Sequence, residues 1–396
     1  MLLCKATKTD KLTILWRNIT SANQTMFIFA KVKTEPSKHI YIRMKTFLLS
    51  ILLICSATFS FAAESLTFYK ASDPRFFYMG RGDFANVNHP KFWVPGAQII
   101  FKFKGDSCTV NLTDEHLYGK FFNYVQFIVD GHYSRFELSA VNSKLSVGDH
   151  LKDTIHTVII CKTTESNIGF LQFNGATCHK LLPPPTPPKR KIECIGNSIT
   201  CGTGSDQSVI PCGKGEWQDQ HNSYLSYGPV TARALHAQYH LTSVSGIGLI
   251  HSCCNLKYVM PQVFDKINLR DDTIPWNFSL YQPDVVTIEL GQNDGIQNAT
   301  TFCNAYVRFI HTLRKDYPKA HIILLSSPMA DSTLLPVMKG YILTVVQRLR
   351  ESGDKRVSKY FFSKRYHGGC DSHPTLAQHQ LMANELTKYL KQLMHW

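Results

Sequence analysis

The chain has 396 residues, 44% of them hydrophobic and 12% aromatic, which excludes a disordered or fibrous protein and leaves room for two globular domains. Its 43 Lys and Arg against 29 Asp and Glu give a net +14, but residues 1–62 hold nine basic and two acidic residues, so only +7 falls on the remainder. Apart from Lys189-Arg190-Lys191 those basic residues are scattered, with no basic stripe interleaved with aromatics, which argues against a nucleic-acid partner.

The first element is a leader. From Met44 the chain reads MKTFLLSILLICSATFSFAAES: a short basic start, an apolar run from Phe47 to Cys55, and the small-x-small pattern Ser60-Phe61-Ala62. This is the pattern of a secretory signal peptide over 44–62, and the run is short for a membrane span. Residues 1–43 show no sustained periodicity and are expected to be a non-native extension from a misplaced start; the alternative is an uncleaved anchor with a basic arm. Once the leader is cleaved, no stable membrane association is expected, and the product is secreted or periplasmic.

Residues 65–180 read as short strands closed by Gly, Asp or Asn: AQIIFKFKG (97–105), CTVNLTD (108–114), NYVQFIVDG (123–131), HTVIICKTT (156–164) and IGFLQFNGA (168–176). Period-2 alternation without a helical stretch predicts an antiparallel β-sandwich of jelly-roll type over 63–182. The Arg81-Gly82-Asp83 triplet is too short to mean adhesion and reads as a turn. LLPPPTPPKRK (181–191) then puts five prolines in six positions, a stiff connection that sets a linker at 183–190.

Residues 191–396 alternate strands and helices. The strands are IECIG (192–196), HLTSVSG (240–246), DVVTIELG (284–291), HIILLSSP (321–328) and SKYFFSK (358–364); helical patterns lie near 224–237, 302–316, 335–350 and 376–393. Strands apolar on both faces and joined by helices predict a doubly wound α/β domain with a parallel sheet. Ligands of such a sheet bind beyond its C-terminal strand ends.

Three strand ends and one loop converge there. Ser198 follows the first strand, Gly246 ends the second, Asn293 ends the third, and Asp371 and His373 precede the last helix. Acyl transfer needs a nucleophile, a base and donors for the developing oxyanion. Ser198, His373 and a donor set from the Ser198 and Gly246 N–H groups with the Asn293 amide supply all three. Alone, Ser198 reads as a helix cap, Gly246 and Asn293-Asp294-Gly295 as turns, and His373 as a surface histidine like His379. Trp217 and Tyr224, in the long loop 202–224, could stack on a sugar ring or simply pack that loop. Of the twelve cysteines ten follow residue 62; no zinc-type spacing appears, no metal or cofactor is called for, and the disulfide pairing stays open.

The blocks GNSIT (Ser198), SVSGIGL (Gly246), PDVVTIELGQNDG (Asn293) and GGCDSHPT (His373) resemble the SGNH (GDSL-type) hydrolase superfamily. With the sandwich, the Pro-rich link and RKIECIGNSITCGTG, the chain resembles carbohydrate esterase family 2 over nearly all of 65–396. The resemblance implies a metal-free serine esterase, acetyl xylan esterase-like, that removes O-acetyl groups from polysaccharides such as xylan or mannan. Two positions depart from the pattern. Asn197 stands where the family usually has Asp, and Asp371 lies two residues before His373 where the superfamily's orienting Asp commonly lies three before. The expectation is therefore an acetyl-enzyme on Ser198 with His373 as general base, oriented either by Asp371 as a weaker third member or by a backbone carbonyl in a Ser–His dyad, in a monomer. The rivals are a lipase or lysophospholipase on the same fold, and an inactive carbohydrate-binding protein.

Overall fold

The computed structural model describes residues 65–148, 151–270 and 273–396; the expected extension and signal peptide lie outside them. Residues 64–396 form one compact unit. Its first part is an antiparallel sheet system of β1 (Thr67–Lys70), β2 (Phe77–Met79), β3 (Lys91–Phe92), β4 (Gln98–Asp114), β5 (Tyr124–Val129), β6 (His132–Glu137), β7 (Asn142–Ser146), β8 (Thr154–Lys162) and β9 (Leu171–Leu182). The main path runs β1-β9-β4-β8-β5-β6, with β2 and β7 on β4 and β3 on β9.

The two strands expected at 97–105 and 108–114 are one. Their inward phase switches from Ile99, Phe101 and Phe103 to Cys108, Val110 and Leu112, all buried. The register shift between Lys104 and Cys108 accounts for that switch. Before it β4 pairs with β2, β8 and the end of β9, and after it with β7 and the rest of β9, so one strand serves four ladders.

Residues 183–189 carry no regular element and lead into the second sheet. It contains β10 (Arg190–Gly196), β11 (Ala237–Ser243), β12 (Val285–Glu289), β13 (His321–Leu325) and β14 (Val357–Tyr360), all parallel, in the order β11-β10-β12-β13-β14. β11 begins and ends three residues earlier than expected, because its last pair is Ser243 with Gly196 and the chain then turns. The helices are α1 (Ser198–Cys201), α2 (Tyr227–Ala234), α3 (Met260–Val263), α4 (Ala299–Asp316), α5 (Leu334–Glu351) and α6 (Leu376–Met394). α2 packs on α6, and α4 on α5. β10 lies between the two strands that follow it in sequence, so its C-terminal end is the switch point of the sheet.

The two sheets share buried material. Arg81 and Glu193 are fully buried and paired at 2.6 Å, joining the segment after β2 to the centre of β10. Glu193 also accepts from Thr242 Oγ1 at 2.7 Å and from the Tyr317 hydroxyl. Arg81 is thus an internal strut, and the triplet is not the turn expected of it: Asp83 instead forms an isolated antiparallel bridge with Lys91. Among the described residues no helix is long and apolar enough to cross a membrane.

Candidate active site

At the end of β10 the fully buried Asn197 caps α1: its Oδ1 accepts the Ile199 N–H at 2.9 Å and its Nδ2 donates to the Glu289 carbonyl at 3.4 Å. An aspartate could make the first contact but not the second, so it is the amide that ties the turn to β12. Ser198 therefore begins a one-turn helix at the switch point, 9% exposed.

His373 arrives from the other side, on the loop before α6. Its Nε2 lies 2.9 Å from Ser198 Oγ and its Nδ1 3.1 Å from the Cys370 carbonyl oxygen. A carbonyl only accepts, so Nδ1 carries the proton and Nε2 offers its lone pair to the serine hydroxyl. Burial holds His373 below the usual imidazole value, against the opposing pull of the Cys370 carbonyl and the Asp371 charge. Asp371 itself is exposed and left-handed at φ 51°, and no hydrogen bond joins its carboxylate to the ring. The two-residue spacing turns the main chain toward the imidazole, and the ring is oriented by a carbonyl instead of a side chain. Cys370 is also disulfide-bonded to Cys212, in the 202–224 loop.

The second and third blocks flank this pair and are tied to each other. Gly246 sits at φ +81°, a conformation open to glycine at little cost. Asn293 Nδ2 donates to the Ile247 carbonyl at 2.8 Å, and Asp294 accepts the N–H groups of Leu249, Ile250 and His251 within 3.1 Å. Asp294 is a loop clamp, as expected. Gly246 is also held from the first sheet. Glu165, fully buried between β8 and β9, accepts from Ser245 N at 2.9 Å and Ser245 Oγ at 2.6 Å. Ser245 Oγ lies 2.8 Å from Thr203 Oγ1, and Thr203 N donates to the Ser198 carbonyl at 3.0 Å. One carboxylate thus braces the turns carrying Gly246 and Ser198.

The 202–224 loop is braced in the same way. Arg135 on β6 donates to the carbonyls of Asp219 and His221 at 2.7 and 2.8 Å, and Asn222 Nδ2 bridges Asp206 and Gln126 at 2.7 and 2.9 Å. Within it Tyr224 is 3% exposed beneath the Arg233 guanidinium, 3.9 Å from its ring centre, so it has no face for a sugar and packs the loop instead. Trp217 is 43% exposed, edge-on to His221 with ring centres 4.2 Å apart, and keeps an open face. His379, expected at the surface, is buried; its Nδ1 accepts the Tyr227 N–H at 3.2 Å and burial pushes its pKa down to about 3. Glu165 and Arg135 escaped sequence reasoning, because each acts across a long sequence separation that no local spacing announces; a carbonyl orienting His373 is an alternative the sequence leaves open, and the structure identifies it as that of Cys370, three residues away. Among the described residues no group of three or more His, Cys, Asp or Glu gathers in a way that could hold a metal ion.

Two family models match the chain: Carbohydrate esterase 2 N-terminal over residues 78–185 and GDSL-like Lipase/Acylhydrolase family over 194–380. An acetylxylan esterase / glucomannan deacetylase of Cellvibrio japonicus is 31% identical over 360 residues, covering 86% of this chain and 95% of that protein. The chain belongs to carbohydrate esterase family 2. Cellulase/esterase CelE of Acetivibrio thermocellus is 35% identical over 342 residues, 82% of this chain, but this family 2 chain spans only 40% of that relative's length. Among solved structures, a family two carbohydrate esterase from Clostridium thermocellum in complex with cellohexaose gives a TM-score of 0.75 at 33% identity, covering 81% of this chain and 99% of that one. One from Cellvibrio japonicus gives 0.76 at 30%, covering 84% and 99%. Family 2 membership places the chain among the carboxylic ester hydrolases, with a family 2 N-terminal domain before a GDSL-type domain.

Proposed function

We propose that this chain is an exported serine esterase that removes O-acetyl groups from a polysaccharide of the xylan or mannan class. The observation that carries the reading is the 2.9 Å contact between Ser198 Oγ and His373 Nε2, with Nδ1 engaged by a carbonyl. In the first half-reaction His373 Nε2 takes the hydroxyl proton as Ser198 Oγ attacks the acetyl carbon. Negative charge builds on the acetyl oxygen, facing the N–H groups of Ser198 and Gly246 and the Asn293 amide, one of whose protons goes to Ile247. Collapse breaks the bond to the sugar oxygen, which leaves with the proton from His373, and Ser198 holds the acetyl group. In the second half-reaction His373 takes a proton from water, hydroxide adds to the acetyl carbon, and acetate departs as Ser198 recovers its proton. The Cys370 carbonyl keeps the ring in one tautomer throughout.

The polysaccharide assignment is supported by the acetylxylan and glucomannan activities in the names of the Cellvibrio japonicus relative, by the cellohexaose complex of the structural neighbour, and by the open face of Trp217. Export is supported by the leader pattern and by the Cys212–Cys370 disulfide, which suits an oxidising compartment. Residues 63–182 are assigned to a jelly-roll sandwich and 191–396 to the hydrolase domain.

The test is acetate release by wild type and Ser198→Ala from an aryl acetate, an aryl long-chain ester and acetylated xylan. Release from both acetates with a fall of at least about 10³-fold in the folded variant is expected. Activity confined to the long-chain ester would transfer the chain to the lipases. Undiminished activity in Ser198→Ala would overturn the serine mechanism.

A further inference from the structure

The main-chain carbonyl of Cys370 receives both the Nδ1–H and, at 2.9 Å, the backbone N–H of His373. The turn that presents it is unfavourable by itself, since the two residues between, Asp371 and Ser372, sit at φ 51° and 60°. It must therefore be held from outside. Two contacts come from the loop after the nucleophile: Cys370 N donates to the Gly204 carbonyl at 2.8 Å, and a Cβ on Gly204 would lie 2.6 Å from the Cys370 oxygen, so only glycine allows that approach. The third hold is covalent, the disulfide from Cys370 to Cys212. Cys212 lies on a braced segment, because Gln220 Nε2 donates to the carbonyls of Ile210, Pro211 and Lys214 within 3.4 Å and Asp206 accepts from Asn222. No side-chain carboxylate reaches His373 Nδ1 among the described residues, so the ring's direction depends on where that one carbonyl stands.

We propose that the Cys212–Cys370 disulfide is a positioning element for His373, doing through the main chain what a hydrogen-bonded carboxylate would do through a side chain, and that opening it suspends turnover without unfolding the protein. The proposal rests on His373 being the base. Cys212 is exposed while Cys370 is buried, so the bond is approachable from one side. A small dithiol would open it by exchange: its thiolate attacks Cys212 Sγ, Cys370 leaves as thiolate and is protonated, and the second thiol closes the reagent into a cyclic disulfide. Two electrons and two protons thus pass to the cysteines.

The experiment uses the full chain with an aryl acetate. Cys212→Ser keeps Cys370 and its carbonyl in the chain but removes the covalent hold on them, and it is expected to lower kcat at least tenfold with KM within twofold and a near-native circular dichroism spectrum. Wild type treated with a dithiol should lose activity to the same level and recover it on reoxidation. Cys212→Ser should not respond further, which separates this bond from the neighbouring Cys253–Cys254 pair. Wild-type kcat in Cys212→Ser beside an inactive His373→Ala would overturn the proposal while leaving the site reading intact. Equal dithiol sensitivity in Cys212→Ser would also overturn it. If the variant does not fold, reversible loss in dithiol-treated wild type that retains its native spectrum decides the question, and loss only in step with unfolding counts against the proposal. Full activity in His373→Ala would instead remove the site reading beneath it.

Discussion

His373 is placed where burial works against its charged form, which holds it below the usual 6.5. With the neutral ring as the proposed base, activity should rise with pH through an apparent pKa under 6.5 and remain flat above it. The Asp371 charge and main chain favour the imidazolium, with no side-chain hydrogen bond to the ring. Asp371→Asn should move the acid limb further down while leaving kcat at pH 8 within about twofold, whereas loss of a true triad aspartate costs about 10⁴-fold. A pH–rate profile of the two proteins decides between these. At the neighbouring position, Asn197→Asp should keep the cap on Ile199 and lose the donation to Glu289, with a thermal destabilisation of about 1 kcal/mol.

Among elements, the turns that carry Ser198, Gly246 and His373 are short and do not hold their own shape. Ser245 is held by Glu165 from the first sheet, and the 202–224 loop by Arg135 from β6. Burial pushes Glu165 up while the two donations from Ser245 hold it down, so the group is sensitive to any change in that contact. Glu165→Gln puts an amide where one acceptor oxygen was needed. It should lower kcat about tenfold with little change in KM, and cost about 1–3 kcal/mol of stability. Steady-state kinetics beside a denaturation curve would show it; an unchanged kcat in a destabilised protein would make Glu165 a fold residue only.

Across the whole molecule the two sheets are joined by a buried ion pair. Arg81 and Glu193 are both fully buried, and removing one leaves the other charged and dry. Arg81→Ala should cost about 3–5 kcal/mol, and a double replacement by apolar residues of similar volume should recover most of it. Because one apolar core cluster contains residues of both sheets, such as Phe101 and Phe173 with Ile195 and Ile288, calorimetry of the full chain should give one transition that shifts as a unit. Two transitions, with only one moved by Arg81→Ala, would contradict this coupling.

The sequence alone determined the strand-to-helix change of texture, the proline connection and the four blocks of the site. Those features are local: period-2 and helical patterns record which face is buried, and a turn after a strand needs particular small or capping residues. Ser198, Gly246, Asn293 and His373 could therefore be named from their places at strand ends and loop tips. Only the tertiary structure decided what orients His373, that β4 is one strand across a bulge, that Tyr224 and His379 are inside, that Glu165 holds Ser245 and that Cys212 is bonded to Cys370. The Cys370 contact with His373 spans only three residues, but the others depend on contacts across long stretches of chain, such as 158 residues between Cys212 and Cys370 and 80 between Glu165 and Ser245. Such contacts follow from how two sheets pack, which no periodicity within either sheet records.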